Sequence, residues 1–284
     1  MVSCHEYIFD YDKPSAEFIL AWLGDAHIGN KGTDKKKFTK QIDWVKTYCN
    51  AWIGMGDWAD AIVNSDSKRF NWKSLDRDLF TPDRQYKWIE EQLKPIASKC
   101  ATFMTGNHDY ALEQYHQHDY CTELAEDLDI MDYSMPVDKD DDGMYAQCAG
   151  ITRFKFNRTT GNQRRRFDVF SHHGRANPKT LGGKLNAVRN LSNVYREAEI
   201  YAMGHTHVAH SFYEPYIHAD NNMNIVEKRK YFVLTGGFLK GWEKNIENYV
   251  QKGAMAPANL GGMFAVIRPE MDRLPYITIN EIPV

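Results

Sequence analysis

Over its first half the chain alternates short apolar runs with longer amphipathic stretches. "FILAWLGD" (Phe18–Asp25), "AWIGMGD" (Ala51–Asp57) and "CATFMTGNHD" (Cys100–Asp109) are nearly unbroken apolar segments that end at a glycine and a polar cluster. That is the pattern of buried strands. Between them, "DKKKFTKQIDWVKTYC" (Asp34–Cys49) puts Phe38, Ile42, Val45 and Cys49 on one helical face. "TPDRQYKWIEEQLKPIASK" starts a helix with a Thr81 cap and Pro82 at the first helical position, and "ALEQYHQHDYCTELAEDL" predicts a further helix. The texture then changes. "DKDDDGMYAQCAGITRFKFNRTTGNQRRRFDVFSHHG" alternates polar and apolar positions around a "TTGN" turn, which predicts antiparallel strands. "NPKTLGGKLNAVRNLSNVYREA" returns to helix before the apolar run of "EIYAMGHTH", and "KYFVLTGG", "GMFAVIRP" and "LPYITINEI" predict strands near the end. The order βαβαβα followed by mixed strands implies an α/β architecture, with two sheets for so many strands. No Pro-, Gly- or Ser-rich linker interrupts it, so residues 1–284 are expected to form one domain.

Composition narrows the class. A chain of 284 residues can bury a sizeable core, and 43% hydrophobic with 26% charged residues is ordinary for a soluble globular protein. A net charge of -3 argues against a protein that coats nucleic acid or membrane surfaces, while leaving room for a local basic patch. Cys4, Cys49, Cys100, Cys121 and Cys148 are odd in number, widely spaced and without a CxxC, as expected of reduced thiols in a cytoplasmic protein. The start of the chain lacks a basic segment followed by an apolar one, and no apolar run approaches a membrane span. No membrane partner is expected.

The chemistry sits where the apolar runs stop. "GDAH" carries Asp25 and His27, "GDWAD" Asp57 and Asp60, "GNHD" Asn107, His108 and Asp109, "SHHG" His172 and His173, and "GHTH" His205 and His207. In α/β sheets, ligand sites collect at the carboxyl ends of strands. A glycine beside each cluster allows the sharp turn that points the next side chain into a shared cleft. One such cluster alone would be a plain loop, but five after five apolar runs are not coincidence. Asp, Asn and His donors without Cys suit Mn²⁺, Fe²⁺ or Zn²⁺. The candidate ligands are too many for one tetrahedral ion and suit two ions sharing a carboxylate.

The ordered set D-x-H, GDxxD, GNHD, H-G and GHxH, running from Asp25 to His207, resembles the calcineurin-like metallophosphoesterase superfamily. That resemblance implies a four-layer α/β/β/α sandwich of two mixed sheets flanked by helices, with a dinuclear centre. It implies one divalent cation on Asp25, His27 and His207, and another on Asn107, His205 and one histidine of "SHHG", with Asp57 bridging. Consecutive strand residues face opposite ways, so only one of His172 and His173 can be that ligand. The family pattern places it directly before the glycine, at His173. His108 then matches the family's catalytic histidine, and Asp109 would orient it by accepting its ring N–H.

The resemblance implies hydrolysis of phosphoesters, with Mn²⁺ the foremost metal. "GDWADAI" lacks the arginine that the protein-phosphatase branch carries, whereas nuclease and phosphodiesterase branches resemble what remains. DNA or RNA is therefore the leading substrate. The alternative is a phosphodiesterase or phosphomonoesterase acting on nucleotides, and a binding scaffold without chemistry is a third reading, disfavoured because every ligand position is filled. Arg164, Arg165, Arg166, Arg175, Lys179 and Lys184 lie near "SHHG" in sequence and are candidates to neutralise a nucleic-acid backbone, with Arg175 and His172 singled out for substrate contact. Trp58 is expected in the core rather than on a base. His116 and His118 face apart on a predicted helix and read as surface residues, and His210 is a cleft candidate if the chain after His207 is helical.

Overall fold

In the computed structural model the described residues are 3–65, 70–130, 149–174, 178–220, 222–242, 251, 257, 259–270 and 276–283. They form eleven strands and five α-helices. The predicted apolar runs become β2 (Phe18–Leu23), β3 (Ala51–Gly54) and β4 (Cys100–Phe103), which pair in parallel. Two late strands complete this sheet antiparallel to β2: β10 (Met263–Ile267) and β11 (Ile277–Glu281), in the order β11-β10-β2-β3-β4. The second sheet runs β1-β5-β6-β7-β9-β8. Its members are β1 (Ser3–Tyr11), β5 (Ala149–Arg158), β6 (Arg164–His172), β7 (Ile200–Met203), β8 (Ala209–Ala219) and β9 (Ile225–Thr235). Both sheets are mixed, since β5–β6 and β8–β9 are antiparallel while β6, β7 and β9 run parallel.

Side-chain alternation along β2 shows how the layers stack. Phe18, Leu20 and Trp22 point between the sheets, where they meet Phe154, Phe156, Val169, Ile200 and Val233 of the six-stranded sheet. Ala21 and Leu23 point outwards onto α1 (Lys35–Tyr48) and α2 (Pro82–Leu93), through Phe38, Ile42, Val45, Ile89 and Leu93. On the far side, Phe170, Tyr201, Phe232 and Leu234 of the second sheet pack under Val188 and Leu191 of α5 (Leu181–Val194). Three apolar cores separate four layers, α/β/β/α. Continuous apolar strands are required because both faces of the central strands are covered.

Local signals account for the helix boundaries. The Asp34 carboxylate accepts from Lys37 N at 3.0 Å at the start of α1, and Pro82 opens α2. The single helix expected over "ALEQYHQHDYCTELAEDL" is instead two: α3 (Asn107–His116) and α4 (Tyr120–Asp127). The break is at Gln117, left-handed with φ of 55°, followed by an Asp119 carboxylate that accepts from Thr122 N and starts the next helix. Strands β1 and β8 had no counterpart in the sequence reading. His210 lies on strand β8 and is exposed, so it is not one helical turn from His207. No helix among the described residues is long and apolar enough to cross a membrane.

Gln117 gives a direct test of the break. Its side chain is exposed and its backbone left-handed, so Gln117→Gly relieves strain without removing packing. Urea unfolding should show a gain of about 1 kcal/mol. A loss would mean that the side chain, not the turn, sets this junction.

Candidate metal centre

The ends of β2, β3 and β4 meet the ends of β6 and β7 across the sandwich. Two hydrogen bonds lock this meeting. The His173 ring Nδ1, just past β6, donates to the Met55 carbonyl past β3 at 2.7 Å. His205 N, past β7, donates to the Asp25 carboxylate past β2 at 2.9 Å. The side chains predicted as metal ligands are thereby brought together. Asp25, His27, Asp57 and His173 are all 1% exposed or less.

Two groups of donors lie either side of Asp57, and a third grouping, His27, Asp57 and His108, overlaps both. In one, His27 Nε2 lies 3.1 Å from His207 Nε2, and His207 Nε2 lies 3.5 Å from Asp25 Oδ1. In the other, His173 Nε2 lies 3.1 Å from Asn107 Oδ1 and 3.3 Å from Asp57 Oδ2, with His205 beside them. Asp57 Oδ2 is also 3.7 Å from His27 Nε2, so this carboxylate stands between the groups. Two neutral imidazole nitrogens 3.1 Å apart can share only one proton between them. Such converging lone pairs beside buried carboxylates fit a cation, and a donor set of oxygen and imidazole nitrogen fits Mn²⁺, Fe²⁺ or Zn²⁺.

The backbone is strained at these positions. Asp25, His27, Asp57, His205 and His207 have φ of 48°, 47°, 52°, 62° and 53°, the left-handed region that side chains avoid. Each costs on the order of 1–3 kcal/mol, and such strain gathers at functional sites when the surrounding packing over-determines it. Gly106 shows how tight the approach is. A Cβ there would sit 2.1 Å from Asp57 Oδ1, so only glycine lets the α3 entry pass the carboxylate. With that clearance His108 N donates to Asp57 Oδ1 at 2.8 Å.

Burial and charge oppose each other throughout the cluster. Burial raises Asp25 to about 7 despite the pull of His173. Burial also works to raise Asp57, but the charges of His173 and His108 prevail and hold it well below the usual carboxylate range. For His173 burial would favour the neutral ring, yet the Asp57 charge and hydrogen bond lift it to about 10. His205 goes the other way, pushed down to about 4 by burial and by the neighbouring His173 charge.

His108 differs from its neighbours. Its ring Nδ1 donates to the Asp60 carbonyl at 2.7 Å, and the ring meets His27 edge-on with centroids 4.6 Å apart. The expectation that Asp109 accepts the His108 ring N–H is therefore corrected. The Asp109 carboxylate reaches back to Gly106 N at 2.9 Å, as the third residue of a capped helix does, and also accepts from Tyr86 OH at 2.6 Å and Trp58 N at 3.2 Å. It fastens the loop and leaves the ring alone. Asp60, a candidate in "GDWAD" with no role assigned from the sequence, is the residue that positions the ring. Its carbonyl holds His108, its carboxylate lies 3.5 Å from His27 Nδ1, and it accepts from Asn30 Nδ2 at 3.2 Å. The second Asp of "GDWAD" was the available signal.

The remaining candidates separate. His172 belongs to none of the donor groups: its Nδ1 accepts from Gly174 N at 2.7 Å, and burial lowers its pKa to about 4. Trp58 is fully buried and stacked on Phe103, 4.8 Å between centroids. Arg164, Arg165 and Arg166 open β6, whereas the cleft lies at its other end. Arg166 is six residues before His172, about 20 Å along an extended strand, so these arginines do not flank the cleft. Lys184 is buried beneath the "GHTH" turn, where its Nζ donates to the Thr206 carbonyl at 2.7 Å, and it does not face a polymer. Lys179 is exposed. Arg175 lies outside the described residues, as does the side chain of His116. His118 is on the surface, 2.8 Å from Glu123.

No family model matches the chain, and no curated protein matches its sequence. Among solved structures it is similar to a conserved uncharacterized protein of Streptococcus pneumoniae, described as a predicted phosphoesterase, at 11% identity. That match covers 94% of this chain and 98% of the other with a TM-score of 0.32. It is also similar to GAP50, described as the anchor in the inner membrane complex of Plasmodium, at 11% identity over 94% of this chain and 90% of the other, with a TM-score of 0.39. Such scores are too low to carry an argument, and the chemistry assigned below rests on the side chains.

Two measurements follow from this geometry. With metal chelated, His207→Gly should be more stable than His207→Ala by about 1 kcal/mol in urea unfolding, because glycine relieves the left-handed backbone. Equal stabilities would remove the strain from the account. The second concerns pH. A folded pKa of about 4 for His172, against an ordinary 6.5, means that the unfolded chain binds its proton first. Its contribution to stability is complete above pH 6.5 and drains as the pH falls toward 4. His172→Asn, whose side-chain oxygen can replace Nδ1 as the acceptor for Gly174 N–H, should flatten that acid-side slope in metal-free protein. An unchanged slope would assign it to other groups.

Proposed function

We propose that the chain is a metal-dependent phosphoester hydrolase acting on phosphodiesters, with two divalent cations, Mn²⁺ foremost, at the meeting of the two sheets. The observation that carries this reading is the placement of Asp57 between two donor groups, Asp25–His27–His207 and Asn107–His173–His205. The motif order from "GDAH" to "GHTH" supports it independently. Bound there, two such cations would polarise a phosphoryl oxygen and acidify a water. The chain's own contribution is positional. Asp60 fixes the His108 ring through Nδ1, and burial holds the ring's pKa below its ordinary value, so Nε2 must first take up a proton before it can pass one to a departing oxygen or stabilise charge on the phosphoryl group. The Gly106–Asp109 cap and the Tyr86 bond hold the loop that carries Asn107 and His108 together.

The substrate reading shifts with the arginines. Their position at the far end of β6, and the burial of Lys184, remove four of the six basic residues that favoured a long DNA or RNA strand and leave Lys179, which is exposed, and Arg175, which lies outside the described residues. Those placements favour the nucleotide-scale alternative, in which binding is confined to the rim of the cleft.

Mutation separates the roles. Asp57→Asn should lower the content of both ions, measured by elemental analysis after Mn²⁺ loading, because one carboxylate faces both groups. His108→Ala should retain its ions and lose about 10²–10⁴ in turnover on a diester with an alkoxide leaving group. The loss should be smaller with nitrophenolate, which departs without a proton. An ion missing from His108→Ala, or full activity on both substrates, would overturn the assignment.

A further inference from the structure

Three loops beside the metal-ligand cleft are laced together by main-chain bonds. Lys31 N donates to the Ser74 carbonyl at 2.8 Å, and Lys240 N donates to the Gly32 carbonyl at 2.8 Å. Thr33 also bridges to Leu239. The next residue back, Asn30, is bonded to the carboxylate of Asp60, whose carbonyl holds His108. The laced rim therefore begins one side chain away from the residue that positions the proposed proton carrier.

The two outer loops each present a tryptophan to water. Trp72 is 67% exposed and Trp242 is 55% exposed, whereas Trp22, Trp52 and Trp58 are fully buried. An indole left in water forgoes a large burial energy, so an exposed one on a fixed loop asks for a reason. The turn that carries Trp72 is fixed. Ser74 N and Ser74 Oγ both donate to the Asn71 carbonyl, at 3.0 and 2.8 Å, and Lys73 N donates to Asn71 Oδ1 at 3.1 Å. Lys31 Nζ donates across to the Lys73 carbonyl at 2.9 Å. The main chain that carries the exposed indole is thus fixed before any ligand arrives, with Lys31 on the adjoining loop.

We propose that Trp72 forms a stacking platform for a nucleobase, so that the substrate is a base-bearing phosphodiester. A flat aromatic face with a neighbouring cation is how proteins hold a base without reading its edge, and each stacked base contributes a sequence-tolerant gain in binding. This specificity rests on the phosphoesterase reading, since it identifies what that centre cleaves. The lysines of these loops are partly engaged by acceptors: Lys240 Nζ lies 3.2 Å from Asp34, and Lys31 Nζ bonds to the Lys73 carbonyl. Aromatic contact, rather than charge, is then the main source of selectivity at this rim.

The test compares dithymidylate with its abasic analogue, which has the same sugar and phosphate and no base, in the Mn²⁺-loaded full chain. The wild type should show a KM for dithymidylate about tenfold or more below that for the abasic compound. In Trp72→Ala that ratio should collapse toward one, and Trp72→Phe should keep most of it. A ratio near one in the wild type, or one that survives in Trp72→Ala, would overturn the platform while leaving phosphoester hydrolysis intact. If the wild type cleaves neither compound nor a nitrophenyl phosphodiester, the phosphoesterase reading fails, and tryptophan fluorescence still decides the platform. Quenching by thymidine monophosphate that disappears in Trp72→Ala supports it, and quenching that persists, or is absent from the start, overturns it. A ten-residue oligothymidylate resolves the source of the base: tighter binding than dithymidylate marks a strand, and equal binding marks a nucleotide-scale substrate.

Discussion

The Asp57 carboxylate is the point on which the two halves of the sandwich depend. It is buried at the end of β3, faces His27 from its own sheet and His173 from the other, and accepts the main-chain N–H of His108. A carboxylate taken out of water costs several kcal/mol unless opposite charge and donors surround it. Here the surroundings are assembled from five separate strand ends, so the site forms only when both sheets are paired in register. The fold exists around this carboxylate as much as the carboxylate sits in the fold.

That arrangement is maintained against strain. Five of the residues that converge on the cleft have left-handed backbones, and glycine is required at Gly106, where the α3 entry grazes Asp57. Apolar cores above, between and below the sheets supply the compensating stability. The Met55 carbonyl bonded to His173, and the His205 N–H bonded to Asp25, then fix the gap across the sandwich. The positive φ angles also rule out a regular continuation of β2, β3 and β7 past these residues. A cation placed between the donor groups would relieve the opposition that keeps Asp25 near neutrality and His205 unprotonated.

Much of this was legible in the sequence, and for a physical reason. Central strands covered on both faces must be continuously apolar, so β2, β3, β4 and β7 stood out, and the glycine-bounded clusters at their ends marked the cleft. The signal failed where burial is one-sided or absent. Strands β1 and β8 carry many exposed positions, and no apolar run announces them. Proximity in sequence misled for Arg164 to Arg166, because a strand carries its two ends far apart. Asp109 was assigned to its chain neighbour His108, but the first turn of a helix bends that carboxylate back to Gly106 N. Asp60 took the place expected of it, through a main-chain carbonyl that no side-chain pattern encodes.

The central claim is that two cations share Asp57. Crystals of the full chain soaked in Mn²⁺ and measured at the manganese absorption edge test it most directly. The account predicts two anomalous peaks, one against Asp25, His27 and His207 and the other against Asn107, His173 and His205, with the Asp57 carboxylate between them. A single peak, or two peaks of which Asp57 touches only one, would contradict it.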